Sequence, residues 1–245
     1  MMNVPPRLLP AARRVAGIAV LAGAGLLAGC ATGPHPQDPF EPFNRNIHAF
    51  NEKVDNAVLK PVATTYRDVL PRPVRTGVAN FFGNLGDVWS GVNSLLQLKV
   101  GDAASTLMRV SVNTVLGVGG LVDVASELGL DRHREDFGQT LGRYGVPTGP
   151  YLVLPLLGPS TVRDTAALPV DRQGDLVTEF NPESTRNALV VTRVIDTRAN
   201  LLQASRVMEE VALDPYTFTR DAWLQKRRSD VYDGQPPALP DEPKE

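Results

Sequence analysis

The chain has 245 residues, 42% of them hydrophobic and 21% charged, with a formal net charge of −2. That length allows one or two domains with a real core, and the charge balance offers no broad basic surface for nucleic acid. The single cysteine, Cys30, excludes disulfides within the chain and cysteine-based metal sites, and His35, His48 and His133 form no metal-ligand spacing.

In chain order, residues 1–29 read as a lipoprotein signal peptide. Arg7, Arg13 and Arg14 give a positive start, and residues 15–28 (VAGIAVLAGAGLLA) form an apolar stretch too short and too glycine-rich for a good membrane span. It ends in Leu27-Ala28-Gly29-Cys30, the pattern of a bacterial lipobox, which marks Cys30 for covalent acylation with palmitate-like chains. One acyl chain holds a protein only marginally to a bilayer; two or three hold it firmly. Ala31 and Thr32, in place of an Asp, resemble an outer-membrane address.

Residues 30–40 read as the acylated cysteine and a proline-rich tether. Phe43, Ile47, Phe50, Val54 and Val58 predict a helix from Glu41 to about Leu59, which Pro61 interrupts before a short helix over 62–69. A longer helix is predicted over 74–98, stopped by Gly101-Asp102, and another over 103–116, ended by Gly117, Gly119 and Gly120. The charged run Asp131–Asp136 reads as a solvated loop, and residues 142–160, rich in proline and glycine, as extended chain or a short strand. Asn181-Pro182 and Asp214-Pro215 each open a helix, over about 182–211 and 215–231. The helical domain therefore spans 41–231, and residues 232–245 read as a disordered acidic, proline-rich tail.

From Val78 to Leu130 the charged residues are only Asp87, Lys99, Asp102, Arg109, Asp123 and Glu127. No apolar run there reaches the ~20 residues of a spanning helix. Ala79, Gly83, Gly86, Ser90 and Ser94 form a stripe of small residues, and interior glycines cost a helix about 0.8–1 kcal/mol each relative to Ala. Three environments suit such a helix: the core of a soluble protein, the membrane interface, or the wall of a polar passage through lipid.

A series of short motifs narrows the choice. They are DPFEPFNR at 38–45, Arg67-Asp68 with Pro71, Asn80-Phe81 with Gly83-Asn84-Leu85, and NTVLG at 113–117 leading into GGLVDVA at 119–125. FGQTLG at 137–142, Tyr144-Gly145, Gly149-Pro150-Tyr151, Leu154-Pro155, Arg163-Asp164, Thr197-Arg198 and Asp214-Pro215-Tyr216 continue it. Over residues 38–230 the chain resembles the MlaA (VacJ) family of outer-membrane lipoproteins.

The resemblance implies an all-α, ring-like bundle of amphipathic helices, embedded in the inner leaflet of the outer membrane around a central polar channel. It implies transport: misplaced phospholipid leaves the outer leaflet, crosses the channel and reaches a periplasmic carrier, with a trimeric porin as outer-membrane partner. It implies no catalysis and no cofactor beyond lipid on Cys30.

On that frame Asn80, Asn84, Asp87, Ser90, Asn93, Ser94 and Asn113 are expected to line a weakly charged lumen or a tight helix contact. Phe81, Phe82, Leu85, Trp89, Val92 and Leu96 are expected to face lipid, and Phe43, Asn44, Phe50 and Asn51 to act at the entry or gate. His48, Glu52 and Lys53 depart from the Phe- and Asn-rich character usual in that entry segment.

An enzyme reading finds little. The nucleophile elbow G-x-S-x-G, H-E-x-x-H and the P-loop are absent, and the proline in Gly158-Pro159-Ser160 opposes a strand–turn–helix elbow. The stronger alternative is a structural lipoprotein that steadies porins without moving lipid.

Overall fold

A computed structural model describes residues 35–237. Cys30, the signal peptide and residues 238–245 lie outside the described residues. Helix α1, Glu41–Val54, runs through a π turn, Asp55–Leu59, into α2, Lys60–Val69. Pro61 was expected to break this rod and does not. A proline ring clashes with the carbonyl four residues back; the wider turn before it, closed by the Lys60 N–H to the Asp55 carbonyl, relieves that crowding. Arg198 fixes the turn with two bonds to Asp55, at 2.6 and 2.7 Å.

Helix α3, Arg72–Leu96, carries Pro73 in its first turn, where a missing N–H costs nothing. Helix α4, Val100–Val115, follows after a tight reversal at Leu98, which adopts φ 62°. Leu98 and not Gly101 makes that turn; Gly101 lies within α4. Helix α5, Val124–Glu127, is capped by Asp123, and α6, Phe137–Arg143, by Asp136.

Strands β1, Tyr151–Leu154, and β2, Gly158–Thr161, form one antiparallel hairpin, so the fold is mainly helical rather than purely so. Helix α7, Val162–Gly174, is capped by the Thr161 hydroxyl. Helices α8, Glu183–Val211, and α9, Pro215–Val231, complete the order. No helix among the described residues is long and apolar enough to cross a membrane.

Apolar packing is confined to small clusters. Ala63 of α2 meets Ala199 and Leu202 of α8, with Tyr66 beside them. Tyr151 and Val153 of β1 meet Tyr216 of α9, flanked by Ile47, Trp223 and Leu224. The N-terminal segment docks earlier than a tether over 30–40 allows. The Gln37 carbonyl accepts the Tyr151 N–H at 2.7 Å, and fully buried Asp38 accepts from Asn44 at 2.8 Å and from Tyr216. The start of the tail is also held, with Lys99 paired to Asp233.

Candidate functional site: a polar interior beside α3

Helices α3 and α4 pack with their polar faces inward. Asn93 and Ser94 are fully buried and Arg109 is 1% exposed, whereas Leu95 is 56%, Leu107 68% and Val115 77% exposed. Leu98, Met108, Leu116, Val118 and Val122 continue the exposed apolar surface. Among the described residues, buried polar and charged side chains outnumber buried apolar ones. This inverts the usual partition between core and surface.

Burial of polar groups requires partners, and the interior supplies them. The Asn84 amide donates to Thr114 at 2.9 Å. Asn93 accepts from the Thr140 hydroxyl at 2.8 Å. Glu135 gathers Lys99 at 2.9 Å and the amides of Gln97 and Gln139 at 2.8 Å each. Ser90 bridges to the Glu135 backbone, and Ser94 turns back to the Ser90 carbonyl at 3.0 Å. Asn113 donates to Asp123 at 2.9 Å and accepts the Ala125 N–H at 2.8 Å, while Arg109 donates to both Asp123 oxygens at 3.0 and 3.1 Å. Asn80 donates to the Leu121 carbonyl at 3.1 Å.

Most of the expected lumen set is therefore locked in helix contacts. Asn80, Asn84, Asp87 and Asn113 border a polar seam with Arg109, Asp123 and Arg132 that has no room for water, at about 0 Å³. Only Asp87 and Ser90 of that set also reach a cavity of about 820 Å³ beside α3.

That cavity is densely charged, against the expectation of few fixed charges. Its wall carries the carboxylates Asp87, Glu135, Asp136, Asp164, Asp171 and Asp230 and the cations Arg132, Arg134, Lys226 and Arg227. The run Asp131–Asp136 is thus not merely a solvated loop: four of its residues line the wall. These charges escaped sequence reading because α3, the 131–136 segment, α7 and α9 each contribute a few, and no local pattern links them.

Arg227 staples the wall. It donates twice to Asp136 at 2.6 Å, twice to Asp164 at 2.9 and 3.0 Å, and once to Gln139 at 3.2 Å. Burial pushes the Asp164 carboxyl up, but hydrogen bonds from Arg227 and the charges of Arg227 and Arg163 outweigh it and hold Asp164 below the usual carboxylate range. Asp171 goes the other way. Burial raises it and Asp136 adds to that, against the hydrogen bonds from Trp89 and the Phe137 N–H.

Trp89, expected to face lipid, does not. Its indole N–H donates to Asp171 at 2.8 Å, and its ring lies so close to Gly174 that an added Cβ there would come within 2.1 Å. Val92 and Leu96 are exposed; Phe81 and Phe82 stack edge-on at 5.3 Å and, with Leu85, are half-buried.

The entry set divides too. Phe43 and Phe50 are about half exposed, at 52% and 47%. Asn44 instead clamps β1, donating to the Tyr151 carbonyl at 3.0 Å and accepting the Val153 N–H at 2.9 Å. Asn51 does the same for the hairpin tip, at the Leu154 carbonyl and the Leu156 N–H. His48 packs edge-on against Tyr216 at 5.5 Å.

Comparison with known proteins bears on this arrangement. Residues 36–230 match the family model for the MlaA lipoprotein. The chain is 36% identical over 222 residues to the intermembrane phospholipid transport system lipoprotein MlaA of Escherichia coli (strain K12), covering 85% of each. It is 34% identical over 230 residues to the protein of the same description from Haemophilus influenzae, covering 89% of this chain and 91% of that one. A solved structure from work on the structural basis for maintenance of bacterial outer membrane lipid asymmetry aligns with a TM-score of 0.65 at 36% identity, over 79% of this chain and 98% of that one. By sequence and by fold, the chain belongs to the MlaA lipoprotein family.

Proposed function

We propose that this chain is a lipoprotein anchored through Cys30 in the inner leaflet of the outer membrane. It removes mislocalised phospholipid from the outer leaflet and passes it to a periplasmic carrier, with a trimeric porin as its outer-membrane partner. The reading is transport rather than catalysis, and it calls for no cofactor beyond the lipid on Cys30.

The observation that carries it is the inversion of α3 and α4. An exposed apolar surface is stable against acyl chains and unfavourable against water, by about 25 cal/mol per Å². The charged cavity beside α3 gives a lipid head group hydrogen-bonding surroundings while its tails stay in the leaflet. A conduit must bind weakly enough to release, and most of the charges on this wall are already satisfied by one another.

The test is reconstitution. The acylated full chain, placed with a trimeric porin in vesicles carrying labelled phospholipid, should deliver label to a soluble acceptor carrier faster than vesicles with porin alone. Transfer no faster than that control, with normal lipid asymmetry in a deletion strain, would leave a structural scaffold as the remaining reading.

A further inference from the structure

Five of the six carboxylates on the cavity wall already hold a cation. Arg132 Nε meets Asp87 at 2.8 Å, Lys99 meets Glu135 at 2.9 Å, Arg227 serves Asp136 and Asp164, and Lys226 meets Asp230 at 2.6 Å. One wall group of each sign is left over. The Arg134 side chain makes no ion pair or hydrogen bond among the described residues. Among the described residues Asp171 receives only the Trp89 indole and the Phe137 N–H, both on Oδ1 at 2.8 Å, so its Oδ2 has no partner there and no cation pairs with it.

Arg132, two residues from Arg134 and on the same cavity wall, adds further donors. Asp87 takes only its Nε, leaving Nη1 and Nη2 without an acceptor among the described residues. The guanidinium lies against Gly83 so closely that an added Cβ would stand 2.2 Å from Nη2; only glycine leaves it that place.

We propose that the cavity selects a zwitterionic phosphoethanolamine head group, its phosphate held by Arg134 and the Nη donors of Arg132 and its ammonium by Asp171. This rests on the transport reading above. A net-anionic head group would fill the cationic side and leave the Asp171 carboxylate unpaired in a wall with more acids than bases. A zwitterion satisfies both leftover groups at once, with charge-assisted bonds at either end. Burial raises the Asp171 carboxyl, and an ammonium beside it would favour the charged form.

The experiment uses the acylated full chain with porin, and donor vesicles labelled in either phosphatidylethanolamine or phosphatidylglycerol. Wild type should transfer the zwitterionic lipid about tenfold faster, the scale of one charge-assisted hydrogen bond. Asp171→Asn keeps an acceptor for Trp89 and Phe137 but removes the charge. It should slow the zwitterionic lipid alone and abolish the preference. Arg134→Gln, at a side chain with no partners to lose, should slow both lipids and keep the ratio. In a separate binding titration, soluble phosphoethanolamine should bind and inorganic phosphate should bind far more weakly. Equal transfer of both lipids by wild type, an unchanged ratio in Asp171→Asn, or equal binding of inorganic phosphate would each overturn the selectivity. Transfer of neither lipid would instead overturn the transport reading, and the titration would still report on the head-group site.

Discussion

The α3–α4 pair and the cluster around Tyr151 and Tyr216 follow opposite rules within one chain. The cluster is an ordinary core: aromatic rings meet edge-on, Tyr151 to Trp223 at 6.0 Å, and Val153 is sealed behind them. In the pair, amides, carboxylates and a guanidinium occupy the interior while leucines and valines face outward. The first region is held by exclusion of water, and the second by a hydrogen-bond network that apolar surroundings strengthen. The hairpin side thus has the usual partition of polar and apolar groups, and the helical pair has it reversed.

Substitutions sharpen that contrast, and the largest effect belongs to the polar interior. Arg109→Ala removes the guanidinium that joins Asp123 to Ser126 and empties a fully buried position, so it should cost about 3–5 kcal/mol in denaturant unfolding of the detergent-solubilised chain. A cost below that of a surface change would mean the network is not what holds the pair. Leu202→Ala, in the apolar cluster of α2 and α8, should cost about 2–4 kcal/mol by the same measurement.

The paired change Leu95→Ser with Leu107→Ser should do the reverse of both. Stability in detergent should move by less than about 0.5 kcal/mol, while flotation with lipid vesicles falls, each leucine forfeiting up to about 1.5–3 kcal/mol of burial. Unaltered flotation would show that this face does not meet lipid.

The smallest effect is with pH. Asp164 is held below its ordinary range when folded, so its contribution is complete above the unfolded carboxylate pKa and is lost as pH falls through the lowered folded value. Asp164→Asn should therefore flatten the acid limb of a melting-temperature profile and leave a smaller residual slope.

The start signals Asn181-Pro182 and Asp214-Pro215 announced α8 and α9, and periodicity made α3 legible, because a long helix repeats its pattern many times. It separated the two faces of α3 without naming their neighbours. Trp89 sits at an apolar repeat position, and nothing nearby in sequence reveals Asp171 and Gly174 as its partners. Helix α7, VRDTAALPVDRQG, carries no clear apolar stripe and holds Pro169 inside it, so the sequence announces neither the helix nor its two cavity carboxylates. The run Asp131–Asp136 looks like any charged loop until the fold wraps it against Asp87 and Ser90. The family motifs begin at Asp38 and the helix pattern at Glu41; buried Asp38 places the edge of the packed domain with the motifs.

Arg227 has five N–H groups, and each has an acceptor on Asp136, Gln139 or Asp164. A guanidinium so fully spoken for is a spacer of fixed gauge between α6, α7 and α9. These three helices cannot move apart there without breaking several charged bonds at once.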